Sequence, residues 1–449
     1  MIDKTVRLTG KRRISFGMHA TPVKPVDREA AASRFNQEWG WSDGSLYYNY
    51  LDSGKEFFDS GRLRHHQRRY QRKLKEEKLD HSRFFLYIGS NGASPYCPEW
   101  GWFGKEWAGG KVGNYIIEYN IKDLAARNKW VWTYSCLNSK SFREFFLYQL
   151  STILRDSRWN IQNLYYDLCG PRMCDNREHG CGYTDEEGRS WGTQNIRGGR
   201  DFHKRIYHFL HKTHPGTKQM YHLSGQPAVM AVHAFADGGN LGETWFENDF
   251  QAKGYSYIGI FAPDMFRTQC AGKKWGFQIF YTPQFYRANK QTGTGREKFY
   301  LAEDPLPEIK RAYRHFLGYI LVHNISAFMS QADVWLNRMH TLYWTARREF
   351  FGNNYDLAFI PYWQKKRPFS YTANKRIMVS AYAKNGSCML VIMNDTDKQQ
   401  TVRIDLGGFK KKFRVAPNPE GTTGVIQAGI LEGIVPARDF RVYFLRPEK

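Results

Sequence analysis

The sequence has no long apolar run. Nowhere in its 449 residues do about 18 apolar residues follow one another, so we expect no segment that spans a membrane. Residues 1–7 also lack an apolar export segment, and we interpret them as the start of a trimmed or mature chain. On that interpretation the protein is exported to the periplasm or the extracellular space, with its signal segment absent from this chain.

Cysteine is scarce, with seven residues in the whole chain, which excludes a disulfide-rich scaffold. Cys169, Cys174 and Cys181 nevertheless fall close together, with His179 among them. Their spacings do not match the paired C-x2-C signature of zinc sites, so zinc, a local disulfide and plain loop packing or substrate contact all stay open. Of these, loop packing or substrate contact fits the spacings best, so we predict no metal and no cofactor.

Acidic residues are outnumbered. The sequence has 43 Asp and Glu residues and 66 Lys and Arg residues, which gives a formal net charge of +23. A charge of this size attracts polyanions over long distances. Nucleic acid, an anionic lipid surface and an acidic or sulfated polysaccharide all fit that charge. Residues 62–78 form a strongly basic segment with a narrow apolar stripe, which indicates an outer helix with a solvated face. Because no nucleic-acid recognition fold surrounds it, we expect no nucleic-acid partner.

Aromatic residues, in contrast, are abundant, with 14 Trp, 28 Tyr and 31 Phe. Flat amphipathic rings suit clefts that hold sugars or bases. Residues 97–107 are especially rich in tryptophan, and we predict that Trp102 lines a sugar subsite.

Strand-like apolar runs alternate with helical patterns over most of the chain. The predicted helices lie near residues 140–157, 200–213, 305–322 and 333–350. The predicted strands lie at residues 12–19, 46–51, 84–89, 130–136, 161–167, 219–223, 232–237, 276–281 and 324–329. This alternation predicts an α/β fold with a parallel sheet, and the count fits a (β/α)8 TIM barrel over residues 1–370 with one spurious strand. An open doubly wound sheet is the main alternative.

The pattern changes after residue 370. Short strand-like runs with turn residues between them, and no helical stretch, predict a small C-terminal antiparallel β-sandwich over residues 371–449. Such a domain typically braces a barrel.

Three carboxylates follow or approach predicted strand ends: Asp167, Asp237 and Glu243. In a parallel barrel the carboxyl ends of the strands converge on one rim, where active sites form. Cleavage of a glycosidic bond needs two carboxyl groups, one to protonate the leaving oxygen and one to act as nucleophile or base. Asp167 with Glu243 or Asp237 would supply that pair. Each residue on its own is also compatible with a turn aspartate or a glutamate at a helix start.

Further residues near these positions are candidates for binding substrate. They have polar or aromatic side chains and lie on the predicted loops or strand ends: His19, Trp102, Tyr166, Arg172, His179, Arg200, His222 and Trp245. For His222, a role in the core or in a turn is an equal alternative.

Four segments, 14–25, 167–183, 235–243 and 435–442, resemble a poorly characterised group of bacterial glycoside-hydrolase-like proteins catalogued beside glycoside hydrolase family 123, the β-N-acetylgalactosaminidases. The resemblance covers nearly the whole chain. It implies a TIM-barrel glycosidase in which Asp167 is the nucleophile or stabiliser and Glu243 the proton donor. The adjacent Asp-Glu pair of family 123 is absent at the end of the Asp167 strand, so the resemblance does not imply the substrate-assisted mechanism.

The sequence therefore predicts a glycosidase, retaining in its stereochemistry, that acts on an anionic glycan carrying sulfate or uronate groups. A non-catalytic protein that binds glycan or nucleic acid through its basic face is the alternative from another class, and a polysaccharide lyase is a third. The sequence leaves the oligomeric state open.

Overall fold

The computed structural model describes residues 17–25, 75, 85–93, 97–111, 116–119, 130–155, 163–223, 226–243, 245–247, 252–259, 261–270, 276–285, 305–327, 334–352, 357–421 and 424–448. Two of the predicted elements, the strand at 46–51 and the helix at 62–78 apart from Lys75, lie outside this set. Of the predicted strand at 12–19 only the last three residues are described, and residues 17–25 form no helix or strand.

The strands are, in chain order, β1 (Phe85–Gly89), β2 (Gly92–Ala93), β3 (Ile116–Tyr119), β4 (Trp130–Tyr134), β5 (Asn163–Asp167), β6 (Met173–Cys174), β7 (Tyr183–Thr184), β8 (Ser190–Trp191), β9 (Thr193–Gln194), β10 (Gln219–His222), β11 (Gly238–Leu241), β12 (Gln278–Tyr281), β13 (Ser326–Ala327), β14 (Ala358–Ile360), β15 (Ser370–Thr372), β16 (Ile377–Lys384), β17 (Ser387–Asn394), β18 (Gln400–Asp405), β19 (Phe413–Ala416), β20 (Val425–Gln427), β21 (Ile430–Val435) and β22 (Asp439–Pro447). The α-helices are α1 (Pro98–Trp107), α2 (Lys140–Arg155), α3 (Ile196–Thr213), α4 (Met230–His233), α5 (Pro263–Cys270), α6 (Pro307–His323) and α7 (Val334–Phe351).

A parallel sheet forms the centre of the molecule. Its strand order is β1-β5-β10-β11-β12-β13, and every neighbouring pair is parallel. Among the described residues β1 and β13 are its edges, so this part of the chain shows a parallel α/β sheet without closure into a barrel. The α/β class is thus confirmed, and closure into an eight-stranded barrel stays a prediction.

Helices cover the sheet with apolar faces at helical spacing. In α2 the buried positions are Phe142, Phe146, Leu150 and Ile153, and in α3 they include Phe202, Ile206 and Leu210. These side chains share one hydrophobic core with residues of the parallel strands. None of the described helices has both the length and the apolar character that crossing a membrane requires.

Two strand predictions were wrong in detail. Residues 232–237 were predicted as a strand but contain the end of the short helix α4 and a turn, and β11 begins only at Gly238. A buried apolar run of this length suits either structure. The strand at 130–136 exists as β4, but it belongs to a separate antiparallel sheet of order β2-β4-β3.

The C-terminal region forms two antiparallel sheets, of order β14-β16-β17-β22-β19 and β15-β18-β21-β20. Buried residues of both, such as Val379 and Leu390 from the first and Val402 and Leu431 from the second, share one hydrophobic cluster. The first sheet includes β14, which precedes residue 370 in the chain.

Helix α6 joins the two parts of the molecule. It is buried around most of its circumference, and two side chains of β16 donate hydrogen bonds to its last carbonyls, Ser380 to Val322 and Tyr382 to Leu321. Gly318 permits this contact, because a Cβ there would lie 2.3 Å from the sulfur of Met393 and 3.0 Å from Cβ of Phe440. The first antiparallel sheet therefore packs directly on a helix of the α/β unit.

Candidate active site

Asp167 is the last residue of β5, at the carboxyl edge of the parallel sheet. Its backbone carbonyl accepts hydrogen bonds from the amide and the hydroxyl of Ser90, at 3.2 and 2.8 Å. One carboxylate oxygen, Oδ1, accepts a bond from the Leu168 amide at 2.8 Å. Leu168 has a φ of 55°, a conformation that costs energy for a residue with a side chain. The chain thus turns sharply at the point where the carboxylate is fixed.

His222 connects this carboxylate to a second one. It is the last residue of the neighbouring strand β10, and its Nδ1 lies 2.9 Å from Oδ1 of Asp167. Its Nε2 lies 3.0 Å from Oε2 of Glu243. One buried imidazole therefore lies between the two carboxylates that the sequence predicts to react.

The charge of this group follows from its surroundings. Burial acts to lower the pKa of His222, but Asp167 and Glu243 outweigh it, and the pKa rises to about 10. Each ring nitrogen lies within 3.0 Å of a carboxyl oxygen, the separation of an ion pair between a protonated imidazole and a carboxylate. At neutral pH His222 is therefore an imidazolium, and it contacts both acidic side chains.

Glu243 lies beyond the end of β11, after Gly242. Gly242 has a φ of +98°, and a Cβ there would lie 2.7 Å from the Tyr281 ring, so glycine is needed for the turn that brings Glu243 back to the sheet edge. Gln284 donates from its side-chain nitrogen to Oε1 of Glu243 at 3.3 Å. The backbone amide of Gln284 donates in turn to the Tyr257 hydroxyl at 2.6 Å.

Tyr165 lies on the same side of the sheet as the carboxylates, and the sequence analysis missed it. Its ring centre is 5.9 Å from that of His222, and its hydroxyl accepts a hydrogen bond from Asn240 at 2.8 Å. Burial raises the pKa of Tyr165 well above its ordinary value, and the charges of Asp167 and Glu243 act in the same direction. The site therefore has a neutral phenol beside the imidazolium.

Tyr166, which we predicted to bind substrate, points the other way. Its ring packs edge-on against Tyr221 at 5.4 Å and against His203 of α3 at 6.3 Å. The residue is fully buried between the sheet and a helix. Adjacent strand residues face opposite sides, so Tyr166 cannot share the face of Asp167.

Asp237 lies at the amino-terminal ends of the parallel strands, whereas Asp167 lies at their carboxyl ends. It precedes β11, and its Oδ2 accepts a hydrogen bond from the amide of Gln219, the first residue of β10, at 2.8 Å. Its Oδ1 pairs with Lys24 at 2.8 Å. The full length of β11 separates Asp237 from Glu243, so the structure does not bring these two carboxylates together.

Two predicted substrate-binding residues lie in the loop after Asp167. The Arg172 guanidinium lies 5.8 Å from the centre of the Tyr134 ring. His179 directs Nε2 toward the sulfur of Cys174, at 3.2 Å. Cys169, which the sequence grouped with these cysteines, instead directs its thiol toward the carbonyl of Tyr166 at 3.0 Å.

The remaining predicted residues have their described contacts with other side chains or with the backbone. Arg200 donates to the carbonyl of Ala231 at 3.1 Å and lies over the Phe235 ring. Desolvation, and to a smaller extent the charge of Arg200, lower the pKa of His19. Two tryptophans complete the set: Trp245 is buried against Phe261, and Trp102 is 85% exposed on α1.

The raised pKa of His222 predicts a pH-dependent contribution to stability. Its protonated form is favoured in the folded state, so the contribution is fully present below the unfolded pKa of about 6.5 and is lost as pH rises through about 10. We expect His222→Gln to lower the free energy of unfolding by about 3–5 kcal/mol at pH 6 and by progressively less toward pH 10. Urea denaturation of both proteins across this range measures the difference. A difference that stays constant from pH 6 to 10 would contradict the ion pair.

No protein-family model matches this chain, and no curated protein matches it in sequence. Solved structures do match. An α-amylase from Anoxybacillus, described as a new glycosyl hydrolase subclass, is 9% identical with a TM-score of 0.49 and covers 85% of this chain and 79% of its own. The α-amylase of Geobacillus thermoleovorans in complex with acarbose is 9% identical with a TM-score of 0.49, over 85% of this chain and 81% of its own.

A GH30 endoxylanase from Clostridium papyrosolvens is 8% identical with a TM-score of 0.40, over 94% of each chain. At these identities and TM-scores the similarity does not extend to a reaction or a substrate, and the resemblance to family 123 stays a prediction.

Proposed function

We propose that this protein is a glycosidase in which Asp167 and Glu243 are the reacting carboxyl groups. The observation that carries the proposal is the contact of His222 with both of them, at 2.9 and 3.0 Å. Three side chains from the ends of adjacent parallel strands meet at one sheet edge, where such folds build their active sites. Two carboxyl groups held near each other are what glycoside cleavage requires.

The roles follow from the surroundings of each carboxylate. The Leu168 amide and the His222 ring hold Asp167 at the ends of the strands, and we assign it the role of nucleophile. Its oxygen forms a bond to the anomeric carbon while the bond from that carbon to the leaving oxygen breaks. Glu243 gives its proton to the leaving oxygen. Water then attacks the anomeric carbon, returns a proton to Glu243 and releases Asp167 as a carboxylate.

His222 supplies the proton that Glu243 needs. With its pKa raised to about 10, His222 carries the additional proton at neutral pH when no substrate is bound. Nε2 lies 3.0 Å from Oε2 of Glu243, within range of a direct transfer. A bound sugar would displace water from the site and so disfavour charged groups there. The proton would then move from the imidazolium of His222 to Glu243.

Retention of anomeric configuration is part of the proposal. One imidazole separates the two contacting oxygens, which therefore lie less than roughly 8 Å apart. Retaining enzymes have carboxyl groups about 5–5.5 Å apart and inverting enzymes about 6.5–9.5 Å apart, so this upper limit is compatible with both outcomes. NMR of the first product formed distinguishes the two outcomes directly.

The proposed substrate is an anionic glycan. The chain carries a net charge of +23. The basic side chains of Arg143 and Arg197 line a cleft of about 570 Å³ near the loops that follow β4 and β5, with Asp201 paired to Arg143 at 3.2 Å. Sulfate or uronate groups would find basic side chains there.

A panel of neutral, sulfated and uronate-containing glycans tests the proposal. We expect the wild-type protein to release reducing sugar from at least one anionic glycan, and the double variant Asp167→Asn/Glu243→Gln to release none. Asp237→Asn is the matched control, because it alters a carboxylate at the amino-terminal ends of the strands. This variant should keep the activity. Equal activity of the double variant and the wild type would overturn the proposal, as would products that carry an unsaturated uronate, the mark of a lyase.

A further inference from the structure

We propose that Cys136, Cys174, His179 and Cys181 bind one zinc ion. One atom from each residue, three sulfurs and a ring nitrogen, lies within 4.8 Å of all the others. Three thiolates and one imidazole form a common ligand set for structural zinc. The sequence does not show this set, because Cys136 belongs to the loop after β4 and the other three to the loop after β5.

The measured separations fit a tetrahedral ion. Zinc bonds of about 2.3 Å to sulfur and about 2.0 Å to nitrogen place two sulfurs about 3.8 Å apart, and a sulfur and a nitrogen about 3.5 Å apart. The sulfurs of Cys136 and Cys181 are 3.9 Å apart. Cys174 Sγ and His179 Nε2 are 3.2 Å apart. Small adjustments of the side chains would therefore suffice.

Neighbouring groups orient the ligands as they do around bound metals. Nδ1 of His179 lies 2.6 Å from the carbonyl of Glu106, which fixes a proton on Nδ1 and leaves the lone pair of Nε2 directed at the sulfurs. Asn138 donates from its side chain to Cys181 Sγ at 3.0 Å and from its backbone to Cys136 Sγ at 3.4 Å. Such N–H donors stabilise thiolates.

The backbone conformation on either side of Cys181 brings the last two ligands, His179 and Cys181, to the other two. Gly180 and Gly182 have φ values of +79° and +74°, so the chain turns sharply on either side of Cys181. A Cβ at Gly182 would lie 2.7 Å from the carbonyl oxygen of Trp191. Asn176 donates to the carbonyls of Lys105 and Ala108, both at 2.8 Å, and holds the loop against α1.

A disulfide explains the cluster less well. The sulfurs of Cys136 and Cys181 are separated by almost twice the length of an S–S bond, which is about 2.05 Å. A bond between any two of the cysteines would not explain why the third thiol and the imidazole are directed at the same point. A zinc ion uses all four groups, and with four protein ligands it has no open position for catalysis.

The site would hold the loop that begins immediately after Asp167. Leu168 packs against the cluster that contains Cys136, Cys174 and Cys181. A zinc ion there ties residues 174–181 to the end of β4 and supports the strained turn at Leu168. The effect on Asp167 rests on the proposed function, whereas zinc binding itself does not.

Metal analysis of the purified full-length protein tests the site. We expect one zinc per chain from mass spectrometry of the metal content, and a cobalt-substituted form with the thiolate-to-metal charge-transfer absorption of a tetrahedral site. Cys174→Ser and His179→Ala should lose most of the metal. Cys388→Ala removes a cysteine of β17 that is buried in a different hydrophobic cluster, and this variant should keep one zinc.

Limited proteolysis of the wild-type protein keeps the test valid if the variants fail to fold. Removal of zinc with a chelator should increase cleavage within residues 168–195 and lower Tm by several degrees, and added zinc should reverse both changes. Wild-type protein that carries no zinc and takes up no stoichiometric cobalt would overturn the proposal. So would a disulfide between any two of the three cysteines in the native protein. These measurements use no glycan, so their failure and that of the proposed hydrolysis are separate results.

Discussion

Glu243→Gln is expected to lower kcat/KM by about 100–10,000-fold for a glycan leaving group and by far less for an aryl glycoside whose phenolate leaves without a proton. The reason is that the variant cannot protonate the leaving oxygen but keeps Asp167 and its contact with the Leu168 amide. Kinetics with a series of leaving groups of different pKa measures the effect. The slope of log kcat/KM against that pKa should be steeper in the variant than in the wild type.

Asp167→Asn should behave differently. An amide at this position cannot attack the anomeric carbon, so we expect a loss of at least about 1,000-fold whatever the leaving group. Asparagine has nearly the same shape and can still accept the bond from Leu168, which separates the loss of chemistry from a loss of folding. If Asp167→Asn showed the strong dependence on leaving group and Glu243→Gln did not, the two roles would have to be exchanged.

The position of Asp167 could be predicted from sequence because it rests on a local signal. An apolar run that ends in an aspartate followed by Gly170 and Pro171 indicates a strand end, and β5 does end at Asp167. The alternation of side chains along that strand also indicates Tyr165, two residues before Asp167, as the tyrosine on the same face. Tyr166 is adjacent to Asp167 in sequence, but the structure places its ring against His203.

Asp237 and the cysteine cluster show where sequence reasoning reaches its limit. The run before Asp237 has the length and apolar character of a strand, but it forms α4 and a turn, so Asp237 precedes a strand. Buried helical turns and buried strands of this length have the same composition. Cys136 cannot be joined to Cys174 from sequence, because their proximity depends on how two loops meet in three dimensions.

The sequence predicts Glu243 and His222 as separate candidates, but it does not predict that they are in contact. His222 ends its strand as Asp167 does, and a strand-end histidine has as many structural uses as catalytic ones. Only the register of the sheet, in which β10 lies between β5 and β11, places the imidazole between the two carboxylates.

Asp395→Asn is expected to lower the free energy of unfolding by about 3–5 kcal/mol, since breaking a buried charge network leaves its partners uncompensated. Asp395, after β17, is almost fully buried and contacts three donors: His315 of α6 at 2.8 Å, Arg376 at 2.9 Å and Arg438 at 2.9 Å. It therefore joins α6 to the antiparallel sheets. Urea denaturation at pH 7 measures the loss.

The pH dependence and a neighbouring aspartate make this prediction specific. Burial opposes ionisation of Asp395, but His315 and Arg376 outweigh it and lower its pKa to about 2. The contribution of Asp395 to stability is thus present above the unfolded pKa of about 3.9 and is lost as pH falls through about 2, so the difference between variant and wild type should shrink only below about pH 4.

Asp397 pairs with the same Arg438 at 2.8 Å but is exposed, and Asp397→Asn should lower the free energy of unfolding by less than about 1 kcal/mol. If the two variants lost the same stability, Asp395 would not be the residue that holds α6 and the antiparallel sheets together.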